Sequence, residues 1–243
     1  MTAFVLVHGA WAGAHGWRHV RRLLAAAGHE VFTPSLTGIG ERVHLASPQV
    51  DLTTHVNDVV NQVMFEDLRD IVLVGYSYGG VVVTGAAEHI HDRIRELVFL
   101  DAFVPSDGDS AFDALGISGS NVVGLGDAWL VPPPARDYDD AVEAAWQRPR
   151  RVDHPVRCFT EPVRVTRPLE DRAFGLTYIK ASAEPRDTPS GAAFWEAGQR
   201  AKASPRWRYE EIDSNHMVAS NRPAELAQLL AEIAGSSSSS SPR

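Results

Sequence analysis

The sequence is short of cysteine, of positive charge and of long apolar runs, and each shortage narrows what the chain does. Its single cysteine, Cys158, excludes an intrachain disulfide and suits a reducing compartment. No base stands near it at recognisable spacing, so the thiol is expected to be a small buried hydrophobe rather than a nucleophile. Lys and Arg number 23 against 31 Asp and Glu, for a formal charge of −8. That balance argues against a nucleic-acid partner, because phosphate binding needs a basic face. The one basic stretch, Arg148 to Arg151, is interrupted by Pro149 and is expected to be a solvated surface patch. No apolar run approaches the roughly 18 residues of a membrane span, so no membrane association is expected. No basic segment or small-residue cleavage site flanks the first apolar run, and a cytoplasmic location is expected.

Two further patterns are missing. There is no H-E-x-x-H and no Cys/His cluster at ligand spacing, so no metal site is expected. Gly38-Ile39-Gly40 lacks the third glycine of a dinucleotide fingerprint and is followed by Glu41-Arg42. It reads as a loop, and no cofactor is expected.

What is present is a rhythm of short apolar runs. Phe4–Val7, Glu30–Thr33, Ile71–Val74, Leu97–Leu100, Leu176–Ile179 and Tyr209–Ile212 read as six strands. The continuous apolar ones suit strands buried on both faces. Between them, Trp17 to Ala27 has helical apolar spacing and stops at Gly28. Asp51 can cap a helix carrying Val56, Val59, Val60 and Val63, and Gly79 opens a helix of small residues ending near Ile90. Helices are also expected around 194–202 and 224–234. Strands alternating with helices predict an α/β fold, a mainly parallel sheet of about six strands with helices on both faces. The interval 104–172 breaks the rhythm with Pro132-Pro133-Pro134 and scattered aromatics. A structureless loop of that length is improbable, so it reads as an inserted cap. The expected layout is a core of 1–103 and 173–235, a cap of 104–172, and a disordered serine-rich tail of 236–243.

Gly75-Tyr76-Ser77-Tyr78-Gly79 carries the chemistry. The pattern G-x-S-x-G is weak alone, but here it follows a buried strand without a gap and opens a small-residue helix, the setting of a nucleophile elbow. Ser77 is therefore the expected nucleophile. A serine hydroxyl needs a base to take its proton. His216 lies just after the last strand and is the only histidine beyond the cap, which makes it the candidate base. The oxyanion donors are expected to be the backbone N–H groups of Tyr78, next to the nucleophile, and of Ala10, in the loop after the first strand. Three carboxylates are open as the orienting acid. Glu184 follows the fifth strand and is the first choice, Asp101 ends the fourth strand and is the alternative, and Asp187 lies three residues past Glu184.

On these residues the chain resembles the α/β-hydrolase branch that holds plant methylesterases, hydroxynitrile lyases and bacterial esterases, including pyrethroid-hydrolase-like enzymes. The resemblance runs over most of 3–235 and is carried by Phe4 to Trp11, Gly75 to Gly80, Leu100 to Pro105 and His216-Met217. It implies an α/β-hydrolase fold whose sheet starts at the usual third strand, and it places the acid at Glu184, where members usually carry Asp. It also separates activities. Hydroxynitrile lyases of the branch carry a threonine in the first-strand loop and a lysine after the catalytic histidine, where this chain has Gly9 and Met217. The expectation is a serine carboxylesterase acting on a small to medium, largely apolar ester through an acyl-enzyme, with no cofactor. A lactonase on the same triad is the alternative; a hydroxynitrile lyase or a non-catalytic small-molecule binder ranks lower. The expected partners are a small-molecule ester and, at most, a second copy of the chain in a homodimer.

Overall fold

The structure is a computed structural model that describes residues 1–117 and 128–236. Six strands form one parallel sheet: β1 (Ala3–Val7), β2 (Glu30–Phe32), β3 (Ile71–Tyr76), β4 (Ile94–Leu100), β7 (Gly175–Ala181) and β8 (Trp207–Ile212). Their order is β2-β1-β3-β4-β7-β8. All six expected strands are there, and the fold is the α/β fold read from the sequence. Alternate residues of β1 supply opposite faces: Val5 and Val7 join one core, Phe4 and Leu6 the other. A continuous apolar run is what a strand covered on both sides requires.

The helices fall where the apolar spacing put them. α1 (Arg18–Ala26) ends against Gly28, which takes the left-handed φ of 85° that closes the helix. α2 (Leu52–Phe65) is capped by Asp51, whose carboxylate accepts the Thr54 N–H at 3.0 Å. α3 (Gly79–Ile90) follows β3 and is buried along almost its whole length. Among the described residues between β4 and β7 lie three short α-helices, α4 (Ala111–Ala114), α5 (Ala141–Gln147) and α6 (Arg157–Thr160), and a short antiparallel pair of β5 (Leu130–Val131) with β6 (His154–Pro155). The interval expected as a cap thus has its own small elements. The sheet closes with α7 (Pro189–Ala203), α8 (Val218–Asn221) and α9 (Pro223–Ser236). α9 includes Ser236, so the expected tail loses its first residue to a helix; 237–243 lie outside the described residues. No described helix is long and apolar enough to cross a membrane.

β1 pairs with β2 on one side and β3 on the other, so the chain reverses its direction of travel across the sheet at β1. In open α/β sheets the crevice beyond such a switch point, at the carboxyl ends of the strands, is where ligands bind. The loops leaving β1, β3, β4 and β8 converge there.

Candidate active site

Ser77 is the first residue past β3 and sits at φ 58°, a left-handed conformation that costs a non-glycine residue about 1–3 kcal/mol. The turn is possible because strand and helix touch through glycine. A Cβ on Gly75 would lie 2.7 Å from the Gly79 carbonyl oxygen, and one on Gly79 would lie 2.8 Å from that of Val7. Backbone bonds hold the elbow: the Ser77 N–H donates to the Leu100 carbonyl at 3.2 Å, and the Ser77 carbonyl accepts from Gly80 at 3.0 Å. The hydroxyl is thereby fixed above the sheet at the amino end of α3, where the helix dipole favours negative charge.

His216 meets it. Ser77 Oγ lies 2.9 Å from His216 Nε2. The imidazole is clamped on both faces, stacked on Phe194 at 4.7 Å between centroids and tilted against Tyr76 at 4.9 Å. The Tyr76 hydroxyl donates to the His216 carbonyl at 2.6 Å. Burial lowers the His216 pKa from its ordinary value, and the bond to Asp101 opposes the shift. The ring is therefore neutral at neutral pH, with Nε2 free to accept a proton.

The carboxylate on the imidazole ring is the alternative, Asp101, and not the first choice, Glu184. His216 Nδ1 lies 2.7 Å from Asp101 Oδ2, so Nδ1–H donates to Asp101 and not to Glu184. Asp101, at the carboxyl end of β4, has φ 39°, and its N–H donates to the Ile179 carbonyl at 2.7 Å. Glu184 is also buried, but its Oε2 accepts the backbone N–H of His216 at 2.8 Å, and its Oε1 lies 3.7 Å from an Arg136 guanidinium nitrogen. Two carboxylates from neighbouring strands thus hold one histidine, Asp101 by the ring and Glu184 by the main chain. Asp187 is exposed and has no contact with His216 among the described residues.

The second Asp101 oxygen carries a partner that sequence reasoning missed. Lys180 on β7 is fully buried, and its Nζ donates to Asp101 Oδ1 and, at 2.7 Å, to the Ala181 carbonyl. The ammonium also lies 4.6 Å from the Trp195 ring centroid. Burial pushes the Asp101 carboxyl up, but His216 and Lys180 outweigh it and hold the carboxyl below its ordinary value. The signal was present: a lysine inside a strand buried from Leu176 to Ala181 needs a counter-charge.

Ala10 lines the cleft beside Ser77, and Tyr78 caps α3. Among the described residues neither backbone N–H has an acceptor. Gly9 is close as well: a Cβ there would lie 2.9 Å from Ser77 Cβ. Trp11 follows at φ 60°, and it ties this loop to the 128–174 segment. Its N–H donates to His154 Nδ1 at 3.2 Å, and its indole N–H donates to the Val131 carbonyl at 2.8 Å.

Beneath Tyr78 lie three buried groups, His55, His154 and Cys158, whose ligand atoms fall within 4.8 Å of one another. Their hydrogen bonds describe a polar network better than a metal cage. His55 donates from Nε2 to the Thr37 carbonyl at 2.8 Å and accepts the Tyr78 hydroxyl at Nδ1 at 3.0 Å, so both nitrogens are occupied. Burial raises the Cys158 thiol well above its ordinary value, as befits the inert buried thiol expected from the sequence.

The cleft over Ser77 is narrow, with a cavity of about 50 Å³ that opens to solvent at its mouth. Trp11, Trp17, Tyr76, Tyr138 and Met217 wall it, with Arg136 and Arg151 among them. Arg148 and Arg150 are exposed as expected of a solvated patch, whereas Arg151 turns inward and is half-buried.

Comparison with known proteins agrees with this architecture. The chain is 34 % identical to a carbendazim hydrolyzing esterase of Nocardioides sp. (strain SG-4G), over 96 % of this chain and 100 % of that protein. It is 26 % identical to an alpha-hydroxynitrile lyase of Arabidopsis thaliana, over 95 % and 96 %. Among solved structures, an extracellular alpha/beta-hydrolase from a Paenibacillus species superposes with a TM-score of 0.77 at 22 % identity, covering 96 % of this chain and 98 % of that one. The sequence profile of the alpha/beta hydrolase family matches residues 4–229, and the chain belongs to that family.

Proposed function

We propose that the protein is a serine carboxylesterase working through an acyl-enzyme intermediate on small to medium, largely apolar esters. Hydrolysis of ester bonds is the activity of its full-length esterase relative. The observation that carries the finer reading is the chain of contacts Ser77 Oγ to His216 Nε2 at 2.9 Å and His216 Nδ1 to Asp101 at 2.7 Å. In this reading Ser77 Oγ attacks the ester carbonyl as its proton passes to Nε2. The tetrahedral oxyanion is held by the Ala10 and Tyr78 N–H groups, which lack other acceptors among the described residues. Collapse breaks the bond to the alkoxy oxygen, which leaves as the alcohol with the proton from Nε2. Water, deprotonated by the same nitrogen, then attacks the acyl-enzyme and frees the acid and Ser77. Asp101 keeps Nδ1 protonated and stabilises the transient imidazolium, while Lys180 keeps Asp101 ionised. The aromatic walls of the cleft accept the apolar part of the ester.

The hydroxynitrile lyase relative raises that activity as a competitor. Gly9 leaves no side chain over Ser77, and Met217 brings no positive charge for a leaving cyanide, so the residues favour hydrolysis. The test is reaction with an aryl phosphonate followed by peptide mapping. The expected result is one adduct, on Ser77, and a Ser77→Ala protein that folds but loses roughly 10⁴–10⁶ of kcat. Labelling elsewhere, or an unchanged kcat, overturns the proposal.

A further inference from the structure

The arginines that are partly or fully buried are usually answered by a carboxylate. Arg18, Arg42, Arg93, Arg172 and Arg222 each have one as an ion-pair partner. The two guanidiniums in the cleft over Ser77 are treated differently. Arg151 has no side-chain hydrogen bond or ion pair among the described residues. Arg136 has only Glu184, at 3.7 Å, and that carboxylate is already held by the His216 N–H. The other acids nearby are taken. Glu143 binds Arg18, His19 and Gln147, and Asp101 binds Lys180 and His216. His216 is neutral. The cleft therefore holds two guanidinium charges against one carboxylate, an excess of one positive charge, inside a chain whose net charge is −8.

That excess is costly to keep. Burial lowers the Arg151 pKa, and the like charge of Arg136 adds to that shift while Tyr138 and Tyr76 oppose it. A half-buried, unanswered guanidinium is stable only at the expense of desolvation that a bound anion offsets. Its planar fork matches a carboxylate with two parallel N–H···O bonds. The excess charge also selects the anion: a monoanion neutralises it, whereas a phosphate dianion overshoots. The remaining walls are mostly apolar, chiefly Trp11, Trp17 and Met217, with Gln147 and Ser220 among them.

We infer that Arg151 and Arg136 form an anion subsite of the catalytic cleft, and that the substrate is an ester carrying a free carboxylate on an apolar frame, a monoester of a dicarboxylic acid. The inference rests on Ser77 being the nucleophile of the same cleft. It sharpens the substrate class from an apolar ester to an amphiphilic one.

The test compares monomethyl terephthalate with dimethyl terephthalate. The diester is the more electrophilic of the two, so an enzyme reading only ester reactivity and apolar area prefers it. The expected result is a higher kcat/KM for the monoester. The monoester-to-diester ratio should fall about 10- to 100-fold in Arg151→Gln, the range for a lost charge-assisted hydrogen bond, and less in Arg151→Lys, which keeps the charge without the fork. Raising salt should lower the ratio too. A binding readout separates this from catalysis: in Ser77→Ala, calorimetry should give a monoester Kd that weakens about tenfold or more on adding Arg151→Gln. Phosphonate labelling of Ser77 together with a preference for the diester, or a ratio and Kd that Arg151→Gln leaves unmoved, overturns the subsite while the esterase reading stands. Absence of labelling at Ser77 strikes the esterase reading instead, and the Kd still decides the subsite.

Discussion

Asp101→Asn is the most informative single change, because the structure gives it two separable consequences. Asp101 is fully buried, and its two oxygens serve two donors, Nδ1–H of His216 and the Lys180 ammonium. An asparagine amide has one oxygen and one NH2, so it cannot accept from both. If it faces Lys180, its NH2 meets His216 Nδ1 and drives the ring to the tautomer with hydrogen on Nε2, which cannot take the proton of Ser77. If it faces His216, the buried ammonium loses its anion. The first outcome costs about 10⁴ in kcat, or about 5.5 kcal/mol of barrier. The second costs roughly 3–5 kcal/mol of stability, the usual loss when half of a buried ion pair is removed. That is a large part of a total of about 5–15 kcal/mol. The single variant therefore confuses inactivity with unfolding, and Asp101→Asn with Lys180→Met resolves the two. Methionine removes the stranded charge at similar volume and retains a sulfur for the Trp195 ring. The double variant should melt within a few degrees of wild type and still show about 10⁴-fold lower kcat on an aryl ester, because the Ala181 N–H that Oδ1 accepts at 3.3 Å keeps the amide oxygen on that side and the NH2 towards His216. Glu184→Gln should lose less than tenfold, because the amide oxygen still accepts the His216 N–H that Oε2 now holds at 2.8 Å. A stable double variant with kcat within tenfold of wild type, or a 10⁴-fold loss in Glu184→Gln, would falsify the assignment of Asp101 as the acid.

Three further outcomes follow from the buried histidines and the first-strand loop. His216 must be neutral to act as base, and burial lowers its pKa from 6.5, so the acid limb of kcat/KM should lie below pH 6.5; a limb at or above 6.5, with chemistry limiting, contradicts the packing around the ring. His8 and His55 are held neutral by burial, with pKa values lowered to about 4. Their depressed values mean the unfolded chain binds more protons, so stability should be full above 6.5 and fall as pH drops from 6.5 towards 4. The loss is roughly 3 kcal/mol for each, by about 1.36 kcal/mol per unit. A melting temperature that is flat between pH 7 and 4.5 refutes this. Cleavage of mandelonitrile should stay at background in the wild type, and Gly9→Thr should lower ester turnover, because a Cβ there meets Ser77 Cβ at 2.9 Å; cyanide release that depends on Ser77 would reverse the order of the two activities.

The meeting of Ser77 and His216 was legible because their placement is local or topological. Ser77 is fixed by a strand, a turn and a helix contiguous in sequence; Gly75 is demanded by contacts within that unit, and Gly79 by the close approach of Val7 and His8 at the end of β1. His216 follows from chain order. The six strands were legible because burial on both faces leaves a continuous apolar run in the sequence itself. The acid was not legible in this way. Asp101 and Glu184 leave adjacent parallel strands at the same end of the sheet, and the sequence places both within reach of one histidine. What separates them is the left-handed turn at Asp101 and the burial of Lys180 on the neighbouring strand, which draws the aspartate inward and leaves the main-chain N–H to the glutamate. Arg151 makes the same point in the cleft. In the sequence it is one of three arginines in a row broken by a proline, and nothing local distinguishes it from its exposed neighbours. Composition and periodicity report which residues avoid water. Which charge meets which is set by distances across strands and loops far apart in the chain, and only the packed fold supplies those.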